Sequence, residues 1–204
     1  MTPTASPQTD RVYLDHNATS PIAMRVRERV PQWLELWGNP SSIHQSGRGP
    51  KTLMRDSREK IANFLGANPL ELVFTSGGAE ANNLALKGVF ETFQAPELYG
   101  REFRHRYLIS SVEHPSVRKA AESLRSRGAV VELIPVLRTG AIDLEAYAKL
   151  LTDETALVSV MLANNETGVI HPIKEMAALA HGRGALFHTD GVQALGKLEF
   201  SLAD

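Results

Sequence analysis

The chain has 204 residues, of which 43% are hydrophobic and 22% charged, with a formal net charge of −1. This is ordinary globular composition, enough for one large domain or one domain with an appendage, and it offers no charge excess suited to nucleic acid or an anionic membrane. The absence of cysteine excludes disulfides, cysteine metal sites and a cysteine nucleophile within these residues, and it suits a cytoplasmic protein.

Met1 to Asp10, rich in Thr, Pro and Ser, has neither a basic start nor an apolar centre. It is read as a flexible arm rather than a secretory signal. No later apolar run approaches the roughly 18 residues of a membrane span. Arg11 to Asp15 is expected to be a short extended piece, followed by a polar turn from His16. Residues 1–20 thus form an arm and lead-in. A helix is predicted from Pro21 to about Trp37, with proline at the start where its missing N–H costs nothing. Gly38 to His44 is a loop, and a second helix runs from Ser46 to Leu65, stopped by Gly66.

From there strands and helices alternate. Strands are predicted at Leu72–Thr75, Arg106–Ser111, Val130–Val136, Ala156–Leu162 and Ala185–His188. Helices are predicted at Ala79–Phe93, Pro115–Arg127, Asp143–Leu151 and Ile173–His181. The basic group Arg101, Arg104, His105 and Arg106 reads as a solvated segment entering a strand. Near-continuous apolar strands between amphipathic helices indicate βαβ units and a mostly parallel sheet sandwiched by helices. Without an internal linker or repeat, residues 21–204 are treated as one α/β domain.

Ligands of such sheets bind beyond the carboxyl ends of the strands, so the residues following each strand carry the chemistry. After Phe74 comes Thr75-Ser-Gly-Gly-Ala-Glu-Ala-Asn-Asn83. Two glycines entering a helix let backbone N–H groups approach a phosphate, and the helix terminus adds partial positive charge. The run lacks the lysine of a Walker P-loop and the spacing of a dinucleotide fingerprint. The alternative is a glycine-rich turn that binds nothing. His114, directly before the helix-starting Pro115, projects into the same crevice or simply caps the helix. Asn164-Asn-Glu-Thr-Gly168 is a polar cluster at another strand end, or a loop bonded to its own backbone. Asp190, after Leu186-Phe-His188, could pair with a cationic ring nitrogen or serve as a helix cap.

These features stand in one ordered set. Tyr13-Leu-Asp-His-Asn-Ala-Thr-Ser-Pro21, Gly38-Asn-Pro-Ser-Ser-Ile-His44, Phe74-Thr-Ser-Gly-Gly78, Glu113-His-Pro115, Asn164-Asn-Glu-Thr-Gly168 and His188-Thr-Asp-Gly-Val-Gln193 together closely resemble the NifS/IscS-like cysteine desulfurases. Those are fold-type-I pyridoxal-phosphate (PLP) enzymes of the class-V aminotransferase group. The resemblance implies that these residues form part of a PLP-dependent transferase large domain. It also implies that Gly78 and Ala79 hold the cofactor phosphate. His114 stacks on the pyridine ring and moves protons as the catalytic residue. Asn165 lies near the phenolic oxygen and the substrate, Asp190 pairs with the pyridinium nitrogen, and Gln193 hydrogen-bonds the phenolic oxygen. The implied reaction converts L-cysteine to L-alanine and passes sulfur through an enzyme persulfide to an acceptor protein, in a homodimer, for iron–sulfur cluster or thiolation pathways. No metal is implied.

Two departures matter. The family usually has Thr or Ser where this chain has Ala79, and a hydroxyl-to-phosphate bond is worth about 1.5–3 kcal/mol. Its loss weakens PLP binding about ten- to hundred-fold unless another donor, such as Ser76, the helix amides or the second subunit, compensates. The family's PLP lysine lies in a Ser-x-His-Lys segment that these 204 residues do not contain. Lys174 and Lys197 are expected to be surface residues. The chain is therefore expected to be an amino-terminal portion with half an active site, inactive alone. Competing readings are a selenocysteine lyase or another class-V enzyme, and a non-catalytic binding or dimerising fragment whose incomplete sheet exposes an edge.

Overall fold

The computed structural model describes residues 12–100 and 102–202, the side chain of Pro96 excepted. The expected arm over residues 1–10 lies outside the described residues, as do Arg11, Arg101 and the last two positions. The described residues fall into two compact units, one ending at Ile61 and the other beginning at Ala62.

In the first unit, residues 12–15 form no strand. The helix expected from Pro21 to Trp37 is instead two short ones, α1 (Met24–Arg27) and α2 (Val30–Leu34). Pro31 explains the break: it has no N–H to donate to the preceding turn, and it crowds the residue before it. Neither helix buries a residue. Gly38 has φ +135°, and a Cβ there would lie 2.2 Å from the Ser46 carbonyl oxygen. Only glycine fits that turn. It leads into α3 (Gln45–Leu65), close to the expected bounds.

The second unit holds the sheet. Its elements are α4 (Gly78–Gln94), α5 (Pro96–Tyr99), β1 (Arg106–Ser110), α6 (Pro115–Arg125), β2 (Val130–Ile134), α7 (Leu144–Leu150), β3 (Thr155–Ser159), α8 (Ile173–Gly182) and β4 (Leu186–His188). The strand order is β2-β1-β3-β4 and every pairing is parallel. The first three strands end one to three residues before the sequence pattern suggests, because ladder pairing stops where the chain turns away, while β4 ends at His188 as expected.

Leu72–Thr75 forms no ladder among the described residues. A short 3₁₀ turn, Pro69–Glu71, precedes it, closed by a capping box between Asn68 and Glu71. The segment has strand-like composition and Leu72 is extended, but Val73 is 69% and Phe74 49% exposed. Composition reports a preference for extended backbone; a strand also needs a partner.

Alternation along the strands divides the core in two, as period-two side-chain geometry requires. Tyr107, Ile109, Val131 and Leu157 pack with Leu86, Phe90 and Phe93 of α4 and with Val117, Ala121 and Leu124 of α6. Leu108, Ile134, Val158 and Phe187 pack with Tyr147 of α7 and with Met176 and Ala180 of α8. Both faces are therefore covered. The faces follow from the handedness of the crossovers. The step from β1 to β2 runs one way across the sheet, while the steps into β3 and β4 run the other, so α6 and α7 lie on opposite faces. Between β1 and β3 the connections diverge. That is the switch point at which ligands of such sheets bind.

Two members of the basic group, Arg104 and Arg106, are stitched into the fold rather than solvated. Arg104 donates to the carbonyls of Thr155 (3.1 Å) and Arg183 (2.7 Å). Arg106 is ion-paired with Glu132 across β1 and β2 and also bonds Thr152 at 2.6 Å. No helix among the described residues is long and apolar enough to cross a membrane.

Burial should decide the cost of shortening an aliphatic side chain on the α6 face. Ile109→Ala, at a fully covered position, should lose about 2–5 kcal/mol in urea unfolding. Leu133→Ala, half-exposed on the edge strand, should lose much less.

Candidate active site

All six sequence-selected residues lie in the second unit, and several are brought together. The glycine turn enters α4 without a side-chain cap, leaving first-turn amides available to an anion. A Cβ added to Gly78 would lie 3.2 Å from Val192 Cγ2, so this turn touches the loop after β4. Gly78 and Ala79 are both exposed.

Asp190 is buried in that loop. Its Oδ1 accepts from the Val192 N–H (3.0 Å) and its Oδ2 from the Asn82 side-chain amide (2.9 Å). Its own carbonyl accepts from the Leu162 N–H beyond β3 (3.0 Å). No ion pair among the described residues includes this carboxylate. A buried anion with neutral donors alone is suited to an incoming cation.

His114 caps α6: its Nδ1 accepts from the Ser116 N–H at 3.2 Å and lies 2.7 Å from the Ser116 hydroxyl. The ring is nevertheless exposed, so capping and a role in the crevice are compatible. Asn164 uses its Oδ1 to accept from Glu166 N–H, Thr167 N–H and the Thr167 hydroxyl. Its Nδ2 donates to the Val112 carbonyl (3.1 Å). Asn164 thus ties its own loop to the end of β1, while the half-buried Asn165 sits beside it. Gln193 Oε1 accepts from Lys197 Nζ at 2.6 Å. Lysine only donates, so this bond assigns the amide oxygen to that side. Lys197 is exposed, as expected, and Lys174 is exposed on α8.

Ser76 is not the spare phosphate donor contemplated for the Ala79 turn. Its hydroxyl (2.5 Å) and N–H (2.7 Å) both donate to Glu80 Oε2. These bonds hold the Glu80 carboxyl below its ordinary range.

Sequence reasoning missed Glu113 as a distinct element of the site. Its Oε1 accepts from the Ser110 hydroxyl (2.8 Å) and from the Met161 N–H (2.5 Å), and its Oε2 is buried without a partner. It therefore spans the switch point, joining the chain beyond β1 to the chain beyond β3. Burial pushes its carboxyl up to about 7, against the lowering effect of its two hydrogen bonds and with help from the Asp190 charge. Burial likewise holds the His188 imidazole down, with Asp190 opposing; its Nδ1 lies 2.8 Å from the Ser159 hydroxyl.

Asn82 was missed too, although the sequence carried a signal. It shares a helical stripe with Leu86, Phe90 and Phe93, all buried, and a polar residue on an apolar stripe must find partners.

Residues 12–204 match the family described as aminotransferase class-V. The chain belongs to the class-V aminotransferase family. Within it, the chain is 42% identical over 193 residues to cysteine desulfurase NifS of Azotobacter vinelandii, covering 94% of this chain and 46% of that protein. It is 41% identical over 189 residues to cysteine desulfurase IscS of Dictyoglomus turgidum, covering 92% and 46%. A solved NifS-like protein superposes with a TM-score of 0.86 at 37% identity, over 94% of this chain and 52% of that one. The structure titled "SspA in complex with cysteine" superposes at 0.84 with 32% identity, over 94% and 53%. The chain spans about half the length of the curated relatives it matches. The parallel α/β sheet flanked by helices is thus the fold of this class-V group, and the resemblance to cysteine desulfurases stands.

Glu113 makes stability pH-dependent in a stated direction. Its carboxyl is raised on folding from 4.5 to about 7, so the folded chain holds the proton more tightly. The contribution is fully present below pH 4.5 and is lost as pH rises through 7. Glu113→Gln removes this titration. In urea unfolding, the stability of the variant relative to wild type should rise by up to about 3 kcal/mol between pH 5 and pH 8.

Proposed function

We propose that residues 21–204 are the amino-terminal part of the PLP-binding large domain of a cysteine desulfurase. The complete enzyme would act on L-cysteine as a homodimer and deliver sulfur to an acceptor protein. The observation that carries this reading is the buried Asp190 carboxylate, free of any ion pair among the described residues and one loop-contact away from an uncapped glycine-rich helix start. PLP joins a cationic ring nitrogen to a dianionic phosphate, and these two features fit its two ends.

When bound, PLP would supply an electron sink for bond cleavage at the amino-acid substrate. Asp190 would keep a proton on the ring nitrogen, since a buried anion favours the charged form of its partner. The backbone N–H groups of Gly78 and Ala79 would donate to the phosphate at the start of α4. His114, exposed at the start of α6, would stack on the ring and exchange protons with substrate. Asn165 and the Gln193 side-chain amide would donate toward the phenolic oxygen. With Ser76 committed to Glu80, the phosphate turn relies on backbone amides where Ala79 replaces the hydroxyl of relatives.

Asp190→Asn should weaken PLP binding to this chain about ten- to hundred-fold by fluorescence titration, the worth of a charge-assisted bond. Ala79→Thr should tighten it about ten-fold by restoring a hydroxyl donor. Equal affinity across all three proteins would reject the assignment.

Without a Ser-x-His-Lys segment, the chain should hold PLP only non-covalently. Borohydride treatment followed by denaturation should leave no lysine stoichiometrically labelled, and sulfide release from L-cysteine should stay at background.

A further inference from the structure

We propose that Asn82 is a positioning residue whose one side-chain amide fixes both His114 and Asp190, reaching His114 through Ser116. Its use for cofactor binding rests on the PLP reading above; the network itself does not.

The Asn82 side chain is buried on α4, and its Nδ2 lies 2.9 Å from Asp190 Oδ2 and 2.9 Å from Ser116 Oγ. A carboxylate only accepts, so the amide nitrogen must face Asp190. The two hydrogens on that nitrogen are then both committed, one to each partner. Ser116 Oγ receives one of them and keeps its own proton to give. His114 Nδ1 lies 2.7 Å away, and the Ser116 backbone N–H already donates to the same nitrogen at 3.2 Å. A backbone N–H cannot accept, so Nδ1 is an acceptor in the neutral ring and the ring proton sits on Nε2.

Donation therefore runs outward from Asn82 in two directions, to Asp190 and through the Ser116 hydroxyl to His114. One consequence is a defined imidazole: Nδ1 is turned into the protein, and Nε2 is the nitrogen left to exchange protons with a ligand. A second is a defined carboxylate, with one donor on each Asp190 oxygen. The two groups stand on different segments, at the start of α6 and beyond β4, and the amide of α4 sets them relative to each other. A cofactor ring gripped by both would need that relative placement within a fraction of an ångström.

The test is ¹⁵N NMR of the histidine-labelled full chain without cofactor, at a pH above the ordinary imidazole range, with His114 assigned through His114→Gln. Wild type should show the Nε2–H tautomer with a hydrogen-bonded Nδ1. Ser116→Ala should move the Nδ1 signal downfield, and Ser116→Thr, which keeps the hydroxyl, should restore it. Asn82→Leu should also move it although Asn82 does not touch His114, and should add nothing in the Ser116→Ala background.

Fluorescence titration with PLP should show Asn82→Leu binding about ten-fold more weakly than wild type, the worth of one lost bond to a charged group. An Nδ1 signal indifferent to Ser116→Ala overturns the proposal, and this variant keeps it falsifiable if Asn82→Leu does not fold. An undiminished Asn82→Leu effect in the Ser116→Ala background also overturns it. If no variant and not even wild type binds PLP while the Nδ1 signals move as expected, the network is supported and the cofactor reading is what fails.

Discussion

The carboxyl ends of β1 and β3 must turn in opposite directions, one toward α6 and the other toward α8, and something has to hold them together where they part. Glu113 does this. Its Oε1 takes a hydroxyl from the β1 end and a backbone N–H from beyond β3. The divergence opens a crevice, and the carboxylate keeps its two walls in register. His114, next in the chain, is positioned by that anchor, and the Asn164 loop leans on the same strand end through Val112.

The site built around this point concentrates negative charge in a small volume. Burial holds the Glu113 carboxyl high, and the Asp190 charge beside it adds to that. Asp190 carries one donor on each carboxylate oxygen. A cation beside it would be stabilised by that buried carboxylate.

Much of this was legible in the residue order. The alternation of apolar strands with amphipathic helices predicted the parallel sheet, and the motifs after each strand identified the chemistry-bearing loops. The features that were not legible depend on partners distant in sequence. Leu72–Thr75 has the composition of a strand but joins no ladder among the described residues, and Arg104 and Arg106 look solvated until Thr155, Arg183 and Glu132 are placed around them. Ser76 looked like a spare hydroxyl; only the turn of α4 brings Glu80 back to claim it.

By itself the sequence determined the fold class and the family, because both reside in local periodicity and in short runs whose order survives without coordinates. Tertiary structure decided how those runs meet. Asn82, 108 residues from Asp190 and 34 from Ser116, cannot be paired with either from spacing. Its position on a buried stripe announces that a partner exists, and folding alone supplies which one, since a hydrogen bond is a constraint on distance in space and not along the chain.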